Sequence, residues 1–500
     1  MSGLLGNLSS TSSAIQGHTR SIELAGKNIA NINNPDYARQ RLNTSSITTA
    51  LGKDTVTITT REIQQLRDSF LDRQIVQESS FLSSFRARDD RLQELLGVMG
   101  ETIDRVNDPS FIRDNPSDDG SLRSGINKFF NSFENFAARP TDQASRSELM
   151  RAAEDLVNSF NRASSRLDSL ERSMKTEIST EVNSLNNRLD ELSDLNRKIA
   201  KVELSTGANT AADLRDERQK LLEEIAEFTQ IEIQEVPGSN GQISASLRDV
   251  NGDQTEILRP GFAPQKIFYN SDNNSFRTST SSADIDLGAG KLPALQQVLG
   301  EDLDNLRGQI DTLANTIATE VNEVYYQAYV PAGTDPAVPE ISFFDQPTPP
   351  PSISGQPSSV NASNIALYTG SQDPLITESI PLTQDSLRAS DSSFAGSNDI
   401  ALAIAGLSEQ DFSALGGIKL SEFTTQTSVT LGQEIQSNAN QMRVQQDVDT
   451  LIKDRRAQIS GVSLDEEMAN LVQFQRAFQA SSRVFNVMSE MLETVVTQLR

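Results

Sequence analysis

Two apolar seams, one at each end of the chain, constrain this sequence more than any other feature. Near the N-terminus Leu4, Leu8, Thr11, Ile15, His18, Ile22, Ala25, Ile29 and Ile32 follow steps of four and three. That is a heptad seam, interrupted only at Thr11 and His18. Asn33-Asn34-Pro35 stops it, because proline lacks the N–H that would continue a helix and restricts the residue before it. At the other end Leu471, Phe474, Phe478, Ser481, Phe485, Met488, Leu492, Val495 and Leu499 keep the same steps. Gly461 breaks the preceding segment, and Ser463 with Glu466 reads as an S-x-x-E capping box around Leu464 at the start of this helix. On period alone, the two ends read as an ordinary antiparallel pair inside one fold.

A one-sided seam on an isolated helix is marginal, since nucleation is costly and the stripe has nothing to bury against. Burying Leu471, Phe474, Phe478 and Phe485 is worth ~1.5–3 kcal/mol each, against ordering costs of ~1–2 kcal/mol per residue. The expectation is that residues 1–35 and 462–500 are largely disordered in a free subunit and fold where neighbouring chains add contact area.

Between the ends, Arg41 to Gln65 is variable, with a short alternating strand at Thr55–Thr59. A helix is predicted from about Asp68 to Val106, then a turn-rich break from Asn107 to Gly120. Ile126, Phe129, Phe130, Phe133 and Phe136 mark one face of a helix that Pro140 ends. The longest helix runs from about Gln143 to Glu203 without Pro or Gly, far above the globular mean, which implies a bundle. A helix over Ala212–Phe228 follows. The period then switches to two: Ile231 and Ile233 alternate, as do Ile243, Ala245 and Leu247, and Asn251-Gly252 reads as a hairpin turn. Helix returns from Lys291 to about Tyr326. Eight of the eighteen prolines lie between Pro331 and Pro357, which predicts an irregular lobe. Helix resumes near Asp399 and dominates from Leu415 to Ile459.

The fold class expected is mainly α with β-rich inserts, in an elongated multidomain rod. The expected domains are a terminal coiled-coil domain from 1–40 and 460–500, a discontinuous helical core from 41–229, 289–329 and 398–459, a β-rich insert at 230–288, and a Pro-rich outer lobe at 330–397. The paired termini would form the base and the middle of the chain the tip.

Composition narrows the chemistry. The 500 residues include one His, no Cys and no Trp, with a net charge of −25. Without Cys there is no disulfide, thiol nucleophile or thiolate zinc site. One His bars every metal or catalytic site that needs two. The acidic balance argues against nucleic acid and against an anionic membrane surface. No apolar run approaches a membrane span, and the start has no basic stretch followed by an apolar one, so no cleaved secretory leader is expected. No catalytic, cofactor-binding or metal residue is assigned. Individual motifs have plain structural readings. His18 is a packed helix-interface residue rather than a pH switch. Asp249-Val250-Asn251-Gly252-Asp253 opens like a calcium loop, but it lacks Gly at the sixth position and has Pro260 where the bidentate Glu belongs, so a hairpin turn is preferred. Asp465, Glu466 and Glu467 suit the positive end of a helix. Pro347, Pro349, Pro350 and Pro351 read as an exposed spacer.

Several segments resemble the flagellar hook-associated protein 1 (FlgK) family, in order and over nearly the whole chain. Asn28-Ile29-Ala30-Asn31-Ile32-Asn33-Asn34-Pro35-Asp36-Tyr37-Ala38-Arg39-Gln40 is similar to the axial-protein motif N-I-A-N-x-N-T-P-G-Y-T-R-Q. The motif positions carried over are Asn28, Asn31, Pro35, Tyr37, Arg39 and Gln40. Phe129-Phe130-Asn131-Ser132-Phe133 with Arg139-Pro140-Thr141-Asp142, and Asp213-Leu214-Arg215-Asp216-Glu217-Arg218 through Leu221-Leu222, resemble two further family segments. Ser460 to Glu467 and Gln473 to Ala480 resemble the C-terminal ones. Asp36, Ser463 and Phe478 depart from the family's usual Gly, Asn and Tyr.

The resemblance implies a non-enzymatic structural protein at the hook–filament junction of the bacterial flagellum. It implies export through the flagellar type III channel, after a transient cytoplasmic stage, and assembly outside the cell. Implied partners are other copies of the chain, the hook protein, the second hook-associated protein, and the export chaperone FlgN on the C-terminal helix. Rival readings are the second junction protein or a flagellin, a carboxylate-based cell-wall hydrolase on a helical stalk, and a soluble coiled-coil scaffold. Charge is partitioned to match an axial role. Residues 1–35 carry a net +1 and residues 462–500 a net −2, so nearly all of the acidity lies between the ends, where it aids solubility.

Overall fold

The computed structural model describes residues 2–48, 56–99, 102–103, 112–113, 121–207, 210–249, 254–280, 283–326, 342–345, 360–369, 381–392, 394 and 396–498. The chain forms two compact units. One comprises Met1–Arg86, Ser179–Ala294 and Met442–Arg500; the other comprises Ala87–Ile178 and Leu295–Gln441. These cut the chain differently from the expected domains. The helical core splits between the units, and the β-rich insert shares a unit with both termini.

In the first unit, α1 (Ser2–Ala30) and α10 (Leu464–Gln498) are helices. α1 stops at Ala30 rather than Ile32, because Asn31 turns the chain: its N–H reaches the carbonyls of Lys27 and Asn28, and its side chain bonds back to the Lys27 carbonyl at 2.9 Å. The variable stretch is a long antiparallel hairpin of β1 (Gln40–Thr48) and β2 (Val56–Gln65), with a bulge at Ser45/Ser46. Only part of β2 was expected as strand. α2 (Ser69–Val98) starts in this unit and ends eight residues before the expected Val106. In the second unit, β3 (Thr102–Ile103) lies in the remainder of the expected helix and pairs with β4 (Ile112–Arg113), which lies in the expected break.

α4 (Gln143–Thr206) and α5 (Ala212–Phe228) match the expected helices closely. The β-rich insert is a six-stranded sheet: β5 (Glu232–Glu235), β6 (Ile243–Asp249), β7 (Gln254–Leu258), β8 (Ile267–Asn270), β9 (Ser275–Thr278) and β10 (Ile285–Asp286). β6 and β7 pair antiparallel as the hairpin reading requires, while the turn itself, 250–253, lies outside the described residues. Two asparagines of α4 hold this sheet. Asn186 bonds both the N–H and carbonyl of Ile267, and Asn196 bonds the carbonyl of Ile243 at 2.9 Å. Each offers a backbone-like donor and acceptor, so strand groups that would otherwise be buried and unpaired are satisfied.

The second unit is built on α3 (Leu122–Ala138), the first half of α4, and α7 (Leu303–Tyr326). α7 follows α6 (Lys291–Gln297) through a π-helical turn at Val298–Asp302. α8 (Asp399–Gly406) and the first half of α9 (Leu420–Ser460) complete it. Phe129, Phe133 and Phe136 are fully buried, and Phe130 nearly so. The Pro-rich segment was expected as an outer lobe, but its described part enters this core. Phe343 and Phe344 are fully buried and meet Phe129 edge-on or tilted at 5.7 and 5.8 Å, and Phe343 stacks edge-on to Tyr325 at 5.3 Å. Asn322 of α7 fixes them, accepting from both backbone N–H groups at 2.8 Å and donating to the Phe344 carbonyl at 3.0 Å. The prolines Pro347 to Pro351 lie outside the described residues.

Phe343→Ala should therefore destabilise the second unit by about 3–5 kcal/mol, the usual cost of truncating a fully buried Phe. Chemical denaturation checks this; a change below about 1 kcal/mol would place the segment outside the core.

Candidate functional site

α1 and α10 lie side by side within the first unit. They run antiparallel, since Thr11 meets Met488 at one end and Asn28 meets Glu467 at the other. The seam residues read from sequence are partly covered where the structure describes them. Leu471, Phe474, Phe478, Ser481, Phe485, Met488, Leu492 and Val495 are all half-buried, as are Leu8, Ile15, Ile22 and Ile29. Ile32 and Leu464, also expected on the interface, are exposed, because Ile32 lies past the helix end and Leu464 is in the first turn of α10. Leu4 lies on α1, in a stretch whose side chains are outside the described ones, and Leu499 is outside the described residues.

The seam is half-covered rather than buried, and α10 carries a second apolar stripe that sequence reading missed. Met468, Val472, Val484, Val487 and Met491 are 42–53% exposed. Their steps of four and three were the available signal, masked at the centre by Gln475 and Arg476.

Beneath the helix pair, the motif residues converge into one polar lock. Asn28 is buried with every hydrogen-bonding position used. Its side-chain oxygen accepts from the Tyr37 hydroxyl (2.8 Å) and the Gln40 N–H (3.1 Å), and its amide donates to the Gln40 carbonyl (2.9 Å) and Glu467 (3.0 Å). Glu467, 2% exposed, also accepts from Arg39 at 2.7 and 2.8 Å. Arg39 reaches Glu466 with another nitrogen (2.7 Å), and its N–H donates to the Ser460 carbonyl (2.9 Å). The expected capping box is thus replaced: Glu466 serves Arg39 rather than the end of its own helix. Gly461 makes the close turn possible, since a Cβ there would sit 2.2 Å from the Ala457 carbonyl oxygen. Asn31 and Pro35 shape the turn that delivers Tyr37, Arg39 and Gln40; Pro35 is exposed.

α5 closes the lock from the other side. Asp213 accepts from Lys27 (2.6 Å) and Gln40 (2.9 Å). Although burial pushes its carboxyl up, these two donors bring it below the ordinary carboxylate value. Asp216 accepts from Arg67 (2.8 Å), Gln65 (2.9 Å) and the Ala38 N–H (3.4 Å), and Arg67 also binds Asp72 (2.8 Å). Burial pushes the Asp216 carboxyl up to about 6, against the pull of Arg67. Burial and the surrounding carboxylates Asp213, Asp216 and Glu467 likewise push the Tyr37 hydroxyl up, so it stays a donor. Nothing in this network presents a nucleophile or a free acid–base pair, and among the described residues no cluster of metal-ligating side chains occurs.

The segments joined here are those that carry the family resemblance, and comparison with known proteins agrees. The family described as the FlgK helical domain of flagellar hook-associated protein matches residues 115–336. The C-terminal family of the flagellar basal body rod FlgEFG proteins matches residues 456–499. Flagellar hook-associated protein 1 of Bacillus subtilis (strain 168) is 23% identical, covering 97% of this chain and 96% of the relative. This chain is similar to flagellar hook-associated protein 1 over nearly its whole length. Its counterpart from Salmonella typhimurium is 22% identical, over 66% of this chain and 57% of that protein. The structure of the flagellar hook junction protein FlgK from Burkholderia pseudomallei shares the fold, with a TM-score of 0.54 and 12% identity, over 77% of this chain and 99% of that one.

Two outcomes follow from the lock. Asn28→Ala should cost about 2–4 kcal/mol, because Glu467 and the Tyr37 hydroxyl lose a buried partner; denaturant titration reads this, and a neutral variant would make the lock incidental. Asp216 binds its proton more tightly folded than unfolded, so its contribution to stability grows as pH falls from about 6 to about 4 and is lost as pH rises back through 6. The stability of the native chain relative to Asp216→Asn should therefore rise over that interval by on the order of 3 kcal/mol. Melting curves at several pH values measure it, and a pH-independent difference would contradict the assignment.

Proposed function

We propose that this chain is an axial structural subunit of the bacterial flagellum that forms the hook–filament junction. The observation that carries this reading is the helix pair of α1 and α10, half-buried on its seam and apolar on the outward stripe of α10. Covering the exposed half of Leu464, Met468, Val472, Val484, Val487 and Met491 would add roughly 1 kcal/mol per residue. Only other chains can supply that cover in an assembled tube. The family names of the relatives indicate which structure it is.

The role is non-enzymatic. The subunit self-associates through its paired ends and contacts the hook protein on one side and the second hook-associated protein on the other. Before assembly it leaves the cell through the type III flagellar channel, with the chaperone FlgN covering the apolar faces of the C-terminal helix. The ends, held by a half-covered seam, open easily in the free subunit and become fully ordered on assembly. Limited proteolysis of the purified monomer should accordingly remove residues 1–35 and 462–500 first; equal protection of both ends and the rest would refute that part.

Deleting the gene should give cells with hooks but without attached filaments, and with flagellin shed into the medium. Complementation with the Val484→Asp, Val487→Asp variant should leave the monomer folded yet fail to restore filaments. Normal filaments in the deletion strain would overturn the proposed role.

A further inference from the structure

The first unit contains a polar cavity of about 340 Å³ that the assembly role does not use. It is lined by the foot of the β1–β2 hairpin (Asn43, Gln64, Gln65), the start of α2, one face of α5, and β5. Four arginines reach it, Arg67, Arg73, Arg215 and Arg218, against the carboxylates Asp72 and Glu235, in a chain whose overall charge is −25.

Two of the arginines are already neutralised. Arg67 is held by Asp72 and Asp216, and Arg215 makes a two-pronged pair with Glu203 at 2.8 and 3.0 Å. Arg218 is different. It is 7% exposed, and one terminal nitrogen donates to the Gly241 carbonyl (2.7 Å) and the Asn196 side-chain oxygen (3.2 Å). Both acceptors are neutral. Among the described residues no carboxylate bonds it, although Glu235 and Glu203 stand near enough to act through space. A buried guanidinium has five N–H donors and a full charge, and leaving it without an anionic partner is costly. Burial pushes it down to about 10, so it is still cationic at neutral pH. Arg73, at the rim, is exposed and has no hydrogen-bonding or ion-pair partner among the described residues.

We infer that this cavity is a binding site for a small oxyanion, a phosphate or a carboxylate, taken between the buried Arg218 and the rim Arg73. The fork of Arg218 matches two oxygens of such an anion. Gln64 lines the same space, and its side-chain oxygen accepts from Arg41, which leaves its amide N–H groups to donate to a remaining oxygen. Glu235 opposes binding and sets a modest affinity. Occupancy would tie α5 to the foot of the hairpin and thereby stiffen the support under Asp213 and Asp216.

The test uses the full chain. Thermal unfolding is followed as inorganic phosphate, and separately citrate, replaces sodium chloride at constant ionic strength, with titration calorimetry on the same samples. A saturable rise in Tm of roughly 2–4 °C is expected for at least one of the anions. Arg73→Gln, at an exposed position, should weaken binding about fivefold, and Glu235→Gln should tighten it by a similar factor, the scale of one partly screened charge. Arg218→Gln should abolish binding, and the two surface variants decide the matter if that one does not fold. A rise that never saturates, or one that Arg73→Gln and Glu235→Gln leave unchanged, is a general cosolute effect and overturns the site.

Discussion

A carboxylate buried at the first turn of α10 holds both ends of the chain to the rest of the first unit. Glu467 is almost fully enclosed, and removing a charge from water is tolerable only where it is paired and hydrogen-bonded. Arg39 and Asn28 meet that requirement from the turn that follows α1. The same Asn28 fixes Tyr37 and the backbone of Gln40, and Gln40 with Lys27 reaches Asp213 on α5. The two terminal helices, far apart in sequence, are therefore anchored by charge and hydrogen bonding at one end. Towards their other ends the described seam residues are only half-buried.

That division of labour suits a part that assembles. A lock of buried, mutually dependent polar groups is specific but tolerates little displacement, because each unmet partner costs a desolvation penalty. A half-covered seam is the opposite, weakly specified and ready to gain from any further apolar cover. The ends can thus be directed by the lock while their outer surfaces remain available. The low charge of the ends, set against the acidity of the middle, limits repulsion between neighbouring copies.

Much of this was legible in the sequence where a local pattern was enough. The seams, the uninterrupted α4, the Phe face of α3 and the period change at β5 and β6 each follow from spacing along one element. The misses share a cause. β1 is mostly polar, from Gln40 to Thr48, and is a strand because β2 pairs with it. The Phe343-Phe344 pair stands beside a Pro-rich run that reads as exposed, yet Asn322 and the aromatic face of α3 draw it inside. The Ser463–Glu466 capping pattern is sound locally and loses to Arg39, a stronger charged partner supplied from over four hundred residues away.

By itself, then, the sequence determined which segments are helical, the main apolar seam of each terminal helix, and which family the chain resembles. Those are properties of neighbours along the chain, set by side-chain period, proline and glycine. Only the tertiary structure decided that Asn28, Arg39, Asp213, Asp216 and Glu467 form a single network, that the outer stripe of α10 stays uncovered, and that Arg218 is buried with no carboxylate bonded to it among the described residues. Burial and charge pairing depend on distances through space, and no spacing along the chain encodes them.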